Sequence, residues 1–123
     1  MTTTIKGIAA KLNIHIEIGS TKDIEIFWKD SLGVPIDMTG YEGRMQIRDQ
    51  DTNLIDELTT LNSRILVDIL TGKITLTFPA DITTALYKND CYEYDLEMYI
   101  PGIGGDVRRL IEGEVVGIRE VTV

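Results

Sequence analysis

Hydrophobic residues recur at every second position through most of this chain. Asn13 to Gly19 (NIHIEIG) sets Ile14, Ile16 and Ile18 on one side and His15 and Glu17 on the other, the period of a strand with one buried face. Ile24, Ile26 and Trp28 alternate in the same way with Glu25, Phe27 and Lys29, and Tyr41, Gly43, Met45 and Ile47 with Glu42, Arg44, Gln46 and Arg48. Leu54 to Leu58, Ile65 to Leu70 and Lys73 to Phe78 read as further strands. Cys91 to Ile100 is the longest alternating run: Tyr92, Tyr94, Leu96 and Met98 face one way, and Cys91, Glu93, Asp95, Glu97 and Tyr99 the other. Val107 to Ile118 returns beside it, with the alternation slipping around Gly113, which predicts a bulge or a close approach of another backbone.

The segments between these runs carry turn chemistry. Asp49-Gln50-Asp51-Thr52-Asn53 is a polar hairpin tip, Thr71-Gly72 a turn, and Pro101 to Asp106 a glycine-rich hairpin loop. Asp30 to Gly40 is a longer connection whose Pro35 removes a ladder donor, so it must cross an edge and deliver the chain to a new pairing partner. Ala80 to Leu86, after Pro79, is the one helical turn, with Asp81 as its cap, and is too short to be a helix of consequence. Residues 1–12, Thr-rich and without a sustained period, form an N-terminal arm or the lead-in to a first strand. Residues 13–123 form a single domain of seven to eight strands. Such a pattern predicts an all-β, antiparallel, two-sheet β-sandwich, immunoglobulin-like, with a small β-barrel as the alternative.

Composition narrows the function classes. At 123 residues, 43% apolar and 26% charged, the chain has the make-up of one globular domain with a sizeable core. Its 20 acidic against 12 basic residues give a net charge of −8, which repels phosphate backbones and disfavours nucleic acid as a partner. The single cysteine, Cys91, excludes an internal disulfide and fits folding in a reducing cytoplasm. The N-terminus lacks the pattern of a secretory signal, and no apolar run reaches the roughly 20 residues that span a bilayer. The expectation is a chain that stays in the cytosol and has no membrane partner.

Each constellation that might carry chemistry has a plainer reading. His15 is the only histidine, on a strand with no nucleophile at a suggestive spacing, and reads as a surface residue. Cys91 has no basic neighbour in sequence to lower its pKa. Glu93, Asp95 and Glu97 make a same-face acidic stripe with successive carboxylates about 7 Å apart. That spacing suits a glycosidase pair or a cation, but an apolar opposite face is what a strand with one solvated side requires. Asp49-x-Asp51-x-Asn53 opens like a calcium loop, yet Leu54 stands where glycine belongs and Thr60 where the bidentate glutamate belongs. Gly102-x-Gly104-Gly105 lies between strands and not before a helix, so it is a turn and not a phosphate loop. Phe27, Tyr87 and Tyr99 are candidates for a contact patch, while Trp28 falls in the core. The sequence therefore predicts no catalytic, cofactor-binding or metal-ligating residues and no cofactor.

Two segments together carry a family resemblance. One is Phe27-Trp28-Lys29-Asp30-Ser31-x-Gly33-x-Pro35-Ile36-Asp37-x-Thr39-Gly40-Tyr41, leading into Arg44 to Arg48. The other is Tyr94-Asp95-Leu96-Glu97, the glycine loop, Val107 to Val115, and Arg119-Glu120-Val121-Thr122. The chain resembles a group of small tailed-bacteriophage and prophage structural proteins and is similar, more loosely, to the N-terminal immunoglobulin-like domain of phage baseplate upper proteins. The resemblance implies a non-enzymatic virion protein, present in the host cytoplasm during assembly. It implies a tail or baseplate adaptor joining other virion proteins, with a homo-oligomer within the virion also open. Because the chain ends at Val123, a receptor-binding role is not expected. Sheet edges and the N-terminal arm are the expected contact surfaces. The alternatives are a capsid decoration protein, a carbohydrate-binding module, and a hydrolase using Glu93, Asp95 or Glu97, which predicts a raised carboxylate pKa in a cleft.

Overall fold

The computed structural model describes the backbone of residues 2–6, 10–88 and 91–119, and the side chains of residues 10–86 and 91–119. The strands are β1 Thr2–Lys6, β2 Ala10–Lys11, β3 Ile14–Glu17, β4 Lys22–Lys29, β5 Glu42–Arg48, β6 Leu54–Thr59, β7 Ile65–Asp68, β8 Lys73–Phe78, β9 Tyr92–Tyr99 and β10 Val107–Ile118. They build a four-stranded sheet in the order β1-β4-β8-β7 and a six-stranded sheet in the order β2-β10-β9-β5-β6, with β3 also pairing β10. Ile24, Ile26, Trp28, Ile74, Leu76 and Phe78 of the first sheet are buried against Met45, Ile47, Tyr94, Leu96 and Met98 of the second. The fold is therefore an all-β sandwich. No ladder joins the two sheets among the described residues, so the barrel alternative is not realised.

The eight runs recognised by alternation are β3 to β10. The first twelve residues add β1 on the edge of the four-stranded sheet and β2 on the edge of the other. The sheets are not purely antiparallel as expected: β1 runs parallel to β4, and β2 and β3 run parallel to β10. In immunoglobulin terms β1, β4, β8 and β7 stand at positions A, B, E and D, and β2/β3, β10, β9, β5 and β6 at A′, G, F, C and C′. A tyrosine corner accompanies this order. Tyr92 opens β9, and its hydroxyl donates to the Ala85 carbonyl 3.3 Å away in the preceding connection. That connection holds a short helix, Ala80–Thr83, and a 3-10 turn, Thr84–Lys88. Pro79 is its N-cap, and Asp81 lies in the first turn without capping it.

The slip of alternation in β10 has two causes. The bulge is at Leu110, where the register with β9 shifts, so Leu110 and Ile111 are both buried. Gly113 marks the close approach: a Cβ there would sit 2.3 Å from the Leu12 carbonyl oxygen. That carbonyl also accepts the Tyr94 hydroxyl at 2.6 Å, and Asn13 Oδ1 accepts the Glu114 amide at 3.1 Å. The N-terminal segment is thus fastened to β10 across the gap between β2 and β3.

On the opposite side of the molecule one ion pair ties the sheets together. Arg64, just before β7, makes a bidentate pair with Asp56 of β6, at 2.7 and 2.6 Å. Its Nε donates to the Thr77 carbonyl of β8 at 3.2 Å, and its Nη1 to the Glu57 carbonyl at 3.3 Å. The side chains retain only 16% and 9% of their exposure.

Removing one partner of a largely buried pair strands the other charge. Arg64→Ala is expected to cost about 3 kcal/mol, and the Asp56→Ala/Arg64→Ala double variant less than the sum of the singles, measured as a double-mutant cycle in urea; additive costs would refute the staple. Gly113→Ala, which drives a methyl into the Leu12 carbonyl, is expected to cost about 1–3 kcal/mol in the same assay.

Candidate functional site

Strand parity sends one row of β9 outward, and pairing decides what it meets. On one side Glu97 faces Arg44 of β5, Asp95 faces Gln46, and Glu93 faces Arg48. On the other, Glu97 faces Arg109 of β10, Asp95 faces Glu112, and Glu93 faces Glu114. The acidic stripe is thus the centre of a mixed-charge face. Arg44 pairs with Glu97 at 2.9 Å, and Arg109 lies 3.5 Å from Asp95 and 3.4 Å from Glu112. Gln46 donates to Glu57 at 2.7 Å and accepts from Arg48 at 2.8 Å. Arg48 also donates to the Thr52 carbonyl, at 2.9 Å.

An open groove of about 450 Å³ runs over this face, lined by Lys11, Arg48, Glu93, Asp95, Glu112 and Glu114 among others. Burial pushes the Asp95 carboxyl above the usual range, and Glu97 and Glu112 push the same way against Arg109 and Arg44. A raised carboxyl is what the hydrolase alternative asks for. Here it lies in a wide surface trough among ion-paired arginines, and Tyr94, the tyrosine beneath the groove, is buried with its hydroxyl on Leu12. No group of three or more His, Cys, Asp or Glu side chains among the described residues is arranged to hold a metal ion.

The other candidates lie apart from one another. His15 is exposed on edge strand β3. Cys91 is half-buried, with the Gln50 amide 3.7 Å from its sulfur. In the β5–β6 tip, Asp49 Oδ1 accepts the amides of Asp51 and Asn53, both at 2.9 Å, and its Oδ2 accepts the Asn53 side chain at 3.0 Å. These bonds hold the Asp49 carboxyl below its ordinary pKa, and its oxygens are turned onto the loop's own donors. The glycine loop is a turn, with Gly102 and Gly104 at positive φ. Phe27 and Tyr99 do not share a patch: Phe27 faces outward from the four-stranded sheet under Lys29, and Tyr99 outward from the six-stranded one under Arg44, 4.6 Å from its ring centre. The Tyr87 side chain and residues 120–123 lie outside the described residues. No helix among the described residues is long and apolar enough to cross a membrane.

The arginine partners of the stripe, Arg44 and Arg109, were not singled out as site residues from sequence. Arg44 stands on the outward row of its strand in the sequence, Arg109 lies beside the slip of alternation in β10, and which strands flank β9 has no signature in the sequence.

Asp95 binds its proton more tightly when folded, so its ionisation opposes folding. Stability conferred by protonated Asp95 is present at acid pH and falls as pH rises from the ordinary aspartate value through the raised folded one. Asp95→Asn is expected to raise the urea midpoint at pH 7 relative to the parent, with the gap closing as pH falls below about 4; an equal gap at both pH values would contradict this.

No protein-family model matches the chain, and no curated protein matches it in sequence. Among solved structures it is similar in fold to the N-terminal domain of phage TP901-1 ORF48, with a TM-score of 0.56 and 13% identity. The match takes in 95% of this chain and 98% of that domain, so the likeness is of one whole sandwich to another.

Proposed function

We propose that this chain is a non-enzymatic structural protein of a tailed-phage virion, an adaptor in the tail or baseplate region that joins other virion proteins. The observation that carries the reading is the end-to-end likeness in fold to a phage domain. The chemistry of the outer face supports it. Glu97 and Asp95 sit within reach of Arg44 and Arg109, an arrangement that solvates and stabilises a sheet face without exposing a reactive group. On this reading the chain is in the host cytoplasm during assembly and in the particle afterwards, with no cofactor and no nucleic acid contact.

Two measurements test it. Quantitative mass spectrometry of purified particles, separated into tail and capsid fractions, is expected to find a few to a few tens of copies in the tail fraction. Hundreds of copies with the capsid would replace the adaptor by a decoration protein, and absence from both would remove the structural reading. Alanine at Glu93, Asp95 or Glu97 is expected to leave the fold intact and to abolish no hydrolytic activity; a glycosidase activity of the parent chain lost in any of the three would establish the hydrolase instead.

A further inference from the structure

The two edges formed by the N-terminal segment are held in different ways. β2 and β3 are fastened to their sheet beyond the ladder with β10. The Leu12 amide donates to the Glu112 carbonyl at 2.9 Å, the Leu12 carbonyl accepts the Tyr94 hydroxyl at 2.6 Å, and Asn13 Oδ1 accepts the Glu114 amide at 3.1 Å. β1 has a single strand partner, β4, in a parallel ladder that runs from Thr2 beside Glu25 to Lys6 beside Lys29. Parallel pairing is slightly the weaker kind per residue, and the sequence of β1, TTTIK, has no apolar row to add to it. β1 can therefore leave β4 without disturbing the fastening at Leu12.

What lies beneath β1 needs a strand. On its other side β4 is committed: the Trp28 amide donates to the Gly72 carbonyl at 2.8 Å, and the Trp28 carbonyl accepts the Ile36 amide at 3.0 Å. Alternation turns the backbone groups of Glu25, Phe27 and Lys29 toward β1, and a strand in its register satisfies them. The link behind β1 is short. Gly7, Ile8 and Ala9 alone separate β1, in one sheet, from β2, in the other. From Lys6 to Ala10 the chain reaches at most about 14 Å, between sheets that pack about 10 Å apart. A connection with so little slack favours the arrangement in which a strand extends away from its own core and completes a neighbour's.

We propose that β1 is exchanged between two copies of this chain, each copy's β1 taking the seat on β4 of the other in the same parallel register. What the seat already holds identifies its occupant: a five-residue strand paired with residues 25–29. Reciprocal exchange closes a two-fold dimer and leaves neither β4 without a partner. The ladder is made by uncharged backbone groups, and the repulsion between chains of net charge −8 is screened over about 8 Å at physiological salt. Such a dimer is compatible with the adaptor role and does not require it.

The test mixes two variants of the full chain, each with Cys91→Ser. One carries Thr4→Cys on β1, the other Phe27→Cys, its register neighbour on β4. Refolded together at high concentration and oxidised, they are expected to give a disulfide-linked heterodimer in excess over either homodimer. Sedimentation of the unsubstituted chain needs no cysteine: it is expected to show a monomer–dimer equilibrium. Inserting Gly-Ser-Gly between Gly7 and Ile8, which slackens the link, is expected to weaken that dimer about tenfold. A monomer at every concentration, a dimer indifferent to the insertion, or cross-linked homodimers in place of the heterodimer would overturn the exchange and leave the adaptor reading as it is. Absence of the chain from particles would overturn the adaptor reading and leave the exchange.

Discussion

A side chain on a strand has two places to go, and everything else here follows from which of them is dry. With Ile24, Ile26 and Trp28 inward on β4 and Tyr92, Tyr94, Leu96 and Met98 inward on β9, every intervening residue is committed to an outer face. The carboxylates of β9 therefore stand in a row whatever their use, and the sheet must supply neighbours that tolerate them. It does so with Arg44 and Arg109, one from each flanking strand. Where parity breaks, at the Leu110 bulge, the chain gains a second buried residue in succession. Three residues later, Gly113 lets the Leu12 carbonyl press against β10.

What could be read from the residues follows the same rule. Strands β3, β4, β5, β8 and β9 are legible because each shows one apolar row, and β6, β7 and β10 because apolar, β-prone runs lie between turn signals. β1 and β2 are not, since Thr2–Lys6 has no apolar period and Ala10–Lys11 is two residues long. Strand direction was also hidden: alternation is identical in parallel and antiparallel ladders, so the parallel edges had no signature. The Arg64–Asp56 staple joins a loop residue to a strand residue across a chain reversal. Its only trace in sequence is an arginine among the polar residues of a loop. The acidic stripe was legible as a stripe, but its partners required the order of strands around β9.

The apolar loop tips show the same limit at a larger scale. Leu32, Leu70 and Ile103 each stand near turn residues, and isolated exposed leucines and isoleucines need no explanation. They become a surface only because the β4–β5 connection crosses between sheets and so lies over the β7–β8 turn and beside the β9–β10 loop. The long connection looked, from its proline and its glycines, like a device for changing partners. It is also what brings three separate tips to one end.

The surfaces divide accordingly between those suited to contact and those that discourage it. β6 is an edge strand, yet the Glu57 carbonyl on it is taken by the Asn62 and Arg64 side chains, and the Arg64–Asp56 pair sits beside it. Such covering of an edge is how β proteins prevent strand addition by a neighbour. β7, one edge of the other sheet, is four residues long and offers a short template. The outer face of the six-stranded sheet is balanced by lateral ion pairs, which are worth little to a partner that must desolvate them. Strand addition at β6 and β7 and packing on the flat outer face are thus disfavoured. The loop end differs: Leu32, Leu70 and Ile103 face water there. A net charge of −8 makes identical chains repel one another.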